Sequence, residues 1–341
     1  MKPETLMNLT VVVMVIVIMY RRAWRTKGGL ALIVITAVTA FTCLPISTIP
    51  SFLLPRWLAI ALRHDNPTLR TNDIQWTSRG EGIETADLEI FSEDYLVERI
   101  SLVRIDSALY QFSVHYSKDS PLLAEEWREK LGAAVVVNGS YYHPNLDAET
   151  PLWTAGMQYG PQTYSAQHGA FIADDPPRIV DLLDRDIKTE LRGVNDAMVS
   201  YPLLLDTSGK VRAQGRSEWV ANRTFVATEH SGRIILGTTE RGFFALKAFG
   251  NFLKKSPLQL TNALNFDGGP VASQSIRVGN FRREVYGQWE LQHHHTLARL
   301  IHQMLSSYEY GPITRPSWKL PIVLAVQKRS EDSANKVESE R

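Results

Sequence analysis

Much of the central part of the chain alternates between apolar and polar positions, which is the pattern of half-buried β-strands. Residues 96–105 and 109–116 alternate in this way around three turn-forming residues, and this spacing predicts a β-hairpin. A second hairpin is predicted from 225–228 and 233–238. Continuous apolar runs predict buried strands at 133–137, 258–266 and 320–327.

Three segments have the apolar spacing of amphipathic helices instead. Residues 120–131 open with Ser and Pro, which favour the N-cap and the first helical position, and Gly132 follows their end. Residues 243–253 and 298–305 are predicted to be helical from their spacing alone. This combination predicts an α+β fold with a mixed β-sheet core and flanking helices, formed by one domain over residues 85–328.

The first 62 residues are predicted to be a membrane anchor. Uncharged runs at 6–20 and 28–55 flank four positive charges within 21–27. A membrane-spanning helix needs about 20 apolar residues, so the second run is long enough and the first is marginal. Either both runs cross as a hairpin with the basic segment in the cytoplasm, or translation starts at Met19 and gives one uncleaved signal anchor, which we favour. Both arrangements place the domain outside the cytoplasm; a buried hairpin in a soluble protein is the alternative.

Three further segments border the predicted domain. Residues 52–62 are predicted to form an interfacial helix with Arg56 and Trp57 at headgroup depth, or else the tail of the membrane helix. Residues 63–84 are polar and turn-rich, which is typical of a linker. Residues 329–341 are charged and nearly free of apolar side chains, so a disordered tail is predicted there.

Composition excludes several classes of protein. Lys and Arg total 37 and Asp and Glu total 36, so no basic excess is available for binding nucleic acid. Cys43 is the only cysteine, which excludes a disulfide scaffold and a cysteine-based zinc site. Three adjacent histidines at 293–295 cannot all face one ion in a regular element, because neighbouring side chains diverge. No metal site is therefore predicted from them.

Two predicted buried strands stop abruptly at glycines and polar residues. Asn138 and Gly139 follow the strand at 133–137, and Asp267, Gly268 and Gly269 follow the strand at 258–266. A buried strand fixes the start of its loop, and glycine lets the backbone approach a ligand closely. These dipeptides are also common in simple turns, so the pattern alone leaves both interpretations open.

Together with the sequence between them, the two segments resemble the phosphodiester glycosidase family. Five landmarks occur in the order typical of that family: Asn-Gly-Ser-Tyr-Tyr at 138–142, a Thr-Pro segment at 150–156, Arg-Thr at 223–224, a helix start at 242–246, and Ala-Leu-Asn-Phe-Asp-Gly-Gly-Pro at 263–270, with Ser273 and Ser275 downstream. Pro270 replaces the third glycine, as in a bacterial subgroup, and Ala272 interrupts the serine pair. His143 stands where the family often has an acidic residue.

The resemblance implies cleavage of the bond between the anomeric carbon of a sugar and a phosphodiester oxygen. Its transition state is oxocarbenium-like and calls for a carboxylate, and the leaving phosphate calls for a guanidinium clamp. Asp267 would be the catalytic base or nucleophile, Arg223 the clamp and His143 a general acid. The implied substrate-binding residues are Asn138, Gly139, Tyr141, Thr224, Gly268, Gly269 and Ser273.

Structural alternatives stay open for three of these residues. Arg223 could form a salt bridge at a hairpin base, Asn138 could cap its own turn, and His143 could be an ordinary loop histidine. We expect a membrane-anchored, extracytoplasmic hydrolase that needs no cofactor and acts on a sugar phosphodiester or phosphoglycan in envelope or exopolysaccharide metabolism. The alternatives are a non-catalytic glycan-binding module of a surface-polymer machine, and a phosphodiesterase with a divalent cation at Asp267. The sequence leaves the oligomeric state undetermined.

Overall fold

The computed structural model describes residues 43–45, 49, 52, 54–63, 68–164, 168–183, 185–214, 219–288, 290–292 and 318–329. Within these ranges the α-helices are Arg56–Arg63 (α1), Ala124–Leu131 (α2), Ile187–Glu190 (α3) and Leu246–Lys255 (α4). The strands are Leu69–Thr71 (β1), Thr77–Gly80 (β2), Ile83–Ser92 (β3), Tyr95–Ile105 (β4), Tyr110–Tyr116 (β5), Val135–Asn138 (β6), Leu152–Thr154 (β7), Met157–Tyr159 (β8), Gly169–Ile172 (β9), Arg178–Asp181 (β10), Ala197–Ser200 (β11), Leu203–Leu205 (β12), Trp219–Ala221 (β13), Thr224–Glu229 (β14), Ile234–Thr239 (β15), Leu260–Asn265 (β16), Ser273–Val278 (β17), Phe281–Tyr286 (β18), Glu290–Gln292 (β19) and Ile322–Lys328 (β20).

The strands form three sheets and one ribbon within the described ranges. The large sheet has eight strands in the order β1-β3-β4-β15-β14-β16-β12, with β2 also paired to β3. Two five-stranded sheets have the orders β18-β17-β6-β20-β5 and β10-β9-β11-β7-β8, and β13 pairs with β19 in a separate ribbon. The predicted sheet-dominated fold with few flanking helices is confirmed. The strands are spread over several sheets, and the described pairs are antiparallel.

The large sheet lies between two apolar cores because successive side chains of a strand point to opposite faces. Phe225 and Ala227 of β14 pack with α1 and α4 in one core, where Phe244 and Phe249 are also buried. Val226 points the other way, into the core formed with β5, β6 and β20. The site loops leave the ends of strands that these two cores hold in place.

The helix predicted at 52–62 is present as α1, but its apolar face contacts the protein and not a membrane interface. Trp57 is 9% exposed and Leu58 is fully buried against the large sheet. Arg56 forms an ion pair with Glu93 at 3.3 Å and lies over the ring of Tyr95. The apolar pattern of residues 52–62 predicted correctly which face of the helix is covered, but in the structure that face packs on the large sheet.

Two other predictions about connections are corrected by the pairing. Residues 69–71 and 77–80, inside the predicted linker 63–84, are strands that pair with β3. The strands predicted at 96–105 and 109–116 exist as β4 and β5, but they belong to different sheets: β4 pairs with β3 and β15, and β5 pairs with β20. Apolar periodicity shows which face of a strand is buried, whereas the partner strand depends on distant residues.

Helix α2 begins later than its N-terminal sequence suggests. Leu320 donates its N–H to the carbonyl of Leu122 at 2.8 Å, so residue 122 is engaged in a β-bridge. Ala124 is the first helical residue, and the predicted end is correct because Gly132 adopts φ 60°, in the left-handed region that favours glycine.

Several predicted features lie outside the described residues. These are the apolar runs of the anchor at 6–20 and 28–42, the histidines at 293–295, the helix at 298–305 and the tail beyond 329. In the ranges that the structure does describe, the helices are too short or too polar to cross a bilayer.

Glu98 on β4 is a fully buried acidic residue that organises the loop before α4. Its Oε1 accepts the backbone N–H groups of Arg99, Glu240 and Arg241 at 2.7–3.1 Å, and its Oε2 accepts that of Phe243 at 2.9 Å. Burial raises the pKa of Glu98 to about 7, and the four backbone donors act in the opposite direction.

We predict that Glu98→Gln lowers the free energy of unfolding at pH 8 by about 2–4 kcal/mol, because the glutamine amide points a donor at backbone donors in a buried site. Urea denaturation measures this loss. Glu93→Gln is the matched control: Glu93 is 82% exposed, so its ion pair contributes little and the change should stay within about 0.5 kcal/mol. An equally small loss in Glu98→Gln would contradict the prediction.

Candidate functional site

The two glycine-containing segments predicted from the sequence meet in the structure, although their strands belong to different sheets. Asp267 donates its backbone N–H to the carbonyl of Gly139 at 3.0 Å. The side chain of Asn138 donates from Nδ2 to the carbonyl of Asp267 at 2.8 Å, and its Oδ1 accepts the N–H of Ser273 at 2.9 Å. Asn138 is only 2% exposed, and its buried side chain links the two segments through these hydrogen bonds.

The glycines are required by close packing of the backbone. A Cβ on Gly139 would lie 2.5 Å from Cγ2 of Ile322, and one on Gly268 would lie 2.7 Å from the carbonyl oxygen of Asn222. Gly269 has φ +66°, which disfavours any other residue. The close contacts seen here are with other parts of the protein, and close approach of these glycines to a ligand stays a prediction.

The amides of these glycines are already used within the protein. The N–H of Gly139 donates to Ile322 at 2.9 Å, and that of Gly269 donates to Asn222 at 2.9 Å. The N–H of Gly268 donates to Oδ1 of Asp267 at 2.8 Å. In this structure each of the three amides therefore has a protein acceptor, and the role of these glycines in substrate binding stays a prediction.

Asp267 is half-buried, and the partial removal of its carboxyl group from water changes its acidity. Burial is the largest cause, and the nearby negative charges of Glu290 and Glu149 act in the same direction. The N–H of Gly268 and the positive charge of Arg223 oppose them, and the result is a pKa raised to about 8. A carboxyl that changes its protonation near neutral pH is suited to moving a proton.

Arg223 lies between β13 and β14 and is 5% exposed. Its Nε donates to the carbonyl of Phe244 at 3.1 Å and its Nη2 donates to the carbonyl of Trp219 at 3.0 Å. Its Nη1 has no hydrogen-bond partner among the described residues, and it would lie 3.3 Å from a Cβ on Gly268. The alternative of a salt bridge at a hairpin base is not seen in the described structure, where backbone carbonyls hold the guanidinium.

Aromatic side chains form one wall of the site. The ring of Tyr141 stacks on that of Tyr201 with centroids 4.0 Å apart and an angle of 11° between the planes. The hydroxyl of Tyr141 accepts a hydrogen bond from Nδ2 of Asn265 at 2.8 Å, and the hydroxyl of Tyr201 donates to Glu149 at 2.8 Å. Burial and the charge of Asp267 raise the pKa of Tyr141, so its phenol stays neutral.

Three other predicted residues have contacts of a structural kind. The hydroxyl of Thr224 is buried 3.4 Å from that of Thr238, and the hydroxyl of Ser273 donates to the carbonyl of Val271 at 2.9 Å. His143 is exposed, and its N–H donates to the carbonyl of Asp147 at 2.8 Å. In the described structure no contact joins His143 to Asp267, so its role as a general acid stays a prediction.

Four residues of the site were not predicted from the sequence. Asn265 and Glu149 lie within or beside the family landmarks, and their polar character next to Asp267 and Thr150 is a signal that could have been used. Tyr201 and Glu290 have no such signal. Pairing of β13 with β19 brings Glu290 to the site, where its Oε2 would lie 2.8 Å from a Cβ on Gly269.

A cavity of about 380 Å³ adjoins this aromatic wall, which is within the size range of small-molecule sites. Tyr201 and His168 line it together with Lys210 and Arg212. As for metals, the described residues hold no group of three or more His, Cys, Asp or Glu side chains arranged around a common ion position.

Comparisons with known proteins identify a family and two similar folds. The sequence model of the phosphodiester glycosidase family matches residues 131–304, slightly more than half of the chain. The catalytic domain of zebrafish N-acetylglucosamine-1-phosphodiester alpha-N-acetylglucosaminidase has a similar fold: the TM-score is 0.50 at 14% identity, over 79% of this chain and 86% of that one. A hypothetical protein from Synechocystis gives a TM-score of 0.50 at 13% identity, over 76% of this chain and 64% of that one. No curated protein matches by sequence.

The structural likenesses concern the fold alone, because their identities are low. The family match spans all five landmarks together with Ser273 and Ser275, and it includes Asn138, Arg223 and Asp267. The structure brings the segments that carry these residues together. The chain therefore belongs to the phosphodiester glycosidase family and is a hydrolase of glycosyl phosphodiesters.

Proposed function

We propose that Asp267 and Arg223 form the catalytic centre, and that it breaks the bond between the anomeric carbon and the phosphodiester oxygen. The observation that carries this proposal is the position of one guanidinium nitrogen. Nε and Nη2 of Arg223 donate to backbone carbonyls, and the remaining nitrogen, Nη1, lies beside Gly268, the residue that follows the half-buried Asp267. A phosphate oxygen on Nη1 therefore brings the sugar on that phosphate to Asp267.

The reaction needs a proton acceptor on the sugar side. As the anomeric carbon loses its oxygen, the bonding electrons stay on that oxygen and the phosphate leaves as a monoester. A water oxygen bonds to the anomeric carbon, and its proton passes to the carboxylate of Asp267. The phosphate is already a good leaving group, so positive charge from Arg223 contributes more than a proton donor would.

The neighbouring acidic residues keep Asp267 a sufficiently strong base. Desolvation is the largest cause of the raised pKa of Asp267, and the negative charges of Glu290 and Glu149 add to it, so the carboxylate binds a proton more readily than an ordinary aspartate does. Glu149 is held by the hydroxyl of Tyr201, and Glu290 is held on the ribbon β13–β19. These two carboxyl groups therefore affect the reaction indirectly, through the pKa of Asp267.

The rest of the proposal concerns where the enzyme acts. The uncharged runs at 6–20 and 28–55, with the basic segment 21–27 between them, support a membrane-anchored enzyme with its domain outside the cytoplasm. A chain with one cysteine loses nothing in an oxidising compartment. In that location the substrate would be a sugar phosphodiester or phosphoglycan of envelope or exopolysaccharide metabolism.

We predict that the full-length chain stays in the membrane fraction after an alkaline carbonate wash, because its apolar runs are integrated in the bilayer. A variant that lacks residues 1–44 but keeps α1 should move to the soluble fraction. Protease added outside the cytoplasmic membrane should digest the domain of the full-length chain. Protection of the domain from that protease, or release of the full-length chain by carbonate, would refute this location.

We also predict that the full-length enzyme releases free sugar from at least one member of a panel of sugar-1-phosphodiesters, and that Asp267→Asn lowers kcat by about 10²–10⁴-fold. Substrate binding should survive, because asparagine keeps the shape of the side chain. In water enriched in a heavy oxygen isotope, the label should enter the released sugar. The matched control is Asp94→Asn, since the Asp94 side chain is fully exposed in an ion pair with Arg70.

Other outcomes separate the alternatives. Binding without release by the wild type would favour a glycan-binding module. Release of a sugar phosphate with the label in the phosphate, abolished by a chelator, would favour a metal-dependent phosphodiesterase. Equal activity of Asp267→Asn and Asp94→Asn would remove Asp267 from the mechanism.

A further inference from the structure

Trp219 is a large aromatic residue exposed at the edge of the site. Its side chain is 47% exposed, whereas Val220 and Ala221, the next two residues of β13, are buried. A single exposed apolar side chain is common on protein surfaces, so exposure alone does not assign a role to Trp219. Two independent features of its position point toward the substrate.

The first feature is the register of the ribbon β13–β19. Trp219 pairs with Gln292 and Ala221 pairs with Glu290 in an antiparallel register. Paired residues, and residues two apart on one strand, share a face of the ribbon, so Trp219 and Glu290 are diagonal neighbours on one face. Val220 and Leu291 are buried on the opposite face, in the apolar core.

That face is turned toward the catalytic centre. The carboxylate of Glu290 would lie 2.8 Å from a Cβ on Gly269, and its charge raises the pKa of Asp267. Trp219 thus stands on the same surface as a residue that reaches the site.

The second feature is the order of groups around Arg223. Nη1 faces Gly268, which follows Asp267, and Nη2 donates to the carbonyl of Trp219. The guanidinium therefore lies between the segment that carries Asp267 and the backbone of Trp219. With the phosphate on Arg223 and the sugar at Asp267, whatever is esterified to the other side of the phosphate extends toward Trp219.

We propose that Trp219 is a binding residue for the leaving group, and that the preferred leaving group carries a ring with an apolar face, such as a second sugar. The C–H face of a sugar ring packs on an indole, while its hydroxyl groups stay in water at an exposed site. This inference rests on the proposed function, because it takes the orientation of the substrate from the roles of Asp267 and Arg223.

The test compares two phosphodiesters of the same sugar-1-phosphate, one esterified to methyl and the other to a second sugar. The wild type should have the higher kcat/KM for the sugar ester. Trp219→Ala should lower the ratio of the two kcat/KM values about tenfold, mainly through KM of the sugar ester. Trp219→Phe should keep most of the preference, since it retains an aromatic face.

Trp318→Ala is the matched control, because Trp318 is an exposed tryptophan (57%) close to the start of β20. It should leave the ratio at the wild-type value. In Asp267→Asn, which binds without turnover, the sugar ester should quench tryptophan fluorescence more strongly than the methyl ester, and Trp219→Ala in that background should remove the difference.

Two results would overturn this inference while leaving the proposed function intact. One is an unchanged ratio in Trp219→Ala. The other is an equal loss on both substrates, which would mean that Trp219 only supports Arg223. If the wild type released sugar from neither ester nor from any other sugar-1-phosphodiester, the proposed function would fail and this inference with it.

Discussion

Two hydrogen bonds between the end of strand β6 and the segment after β16 hold the site together. The N–H of Asp267 reaches the carbonyl of Gly139, and Nδ2 of Asn138 reaches the carbonyl of Asp267. The strands belong to different sheets, so these bonds join two parts of the fold at the position of Asp267. Without Asn138, two buried backbone groups, at Asp267 and Ser273, would lose their partner.

Hydrogen bonds to buried backbone groups also position the guanidinium of Arg223. Glu98 accepts four backbone N–H groups and so shapes the loop that presents the carbonyl of Phe244 to Arg223. A second carbonyl, from Trp219 on the ribbon, holds Nη2. The large sheet, the loop before α4 and the ribbon therefore converge on one side chain, and its remaining nitrogen is directed toward the neighbourhood of Asp267.

The sequence predicted those parts of the site that leave a recognisable pattern in consecutive residues. Asn138 and Asp267 were found because a buried strand that stops at glycine leaves a local pattern, and Arg223 because it lies in a family landmark. Glu290 was missed, since only the pairing of β13 with β19 brings it there. The wrong β4–β5 hairpin has the same origin: alternation shows which face is buried and does not show which strand is the neighbour.

The most direct test of this account is the pH dependence of kcat/KM, which reports the free enzyme. Asp267 must lose its proton to act as a base, and its pKa is raised to about 8, so kcat/KM should rise with pH and level off above about 8. Glu149→Gln removes a negative charge that raises this pKa while keeping an acceptor for Tyr201, so the rising limb should move to lower pH. Glu93→Gln, at an exposed position, should leave the profile in place. A rate that falls as pH rises through 8, or a limb that Glu149→Gln does not move, would contradict the account.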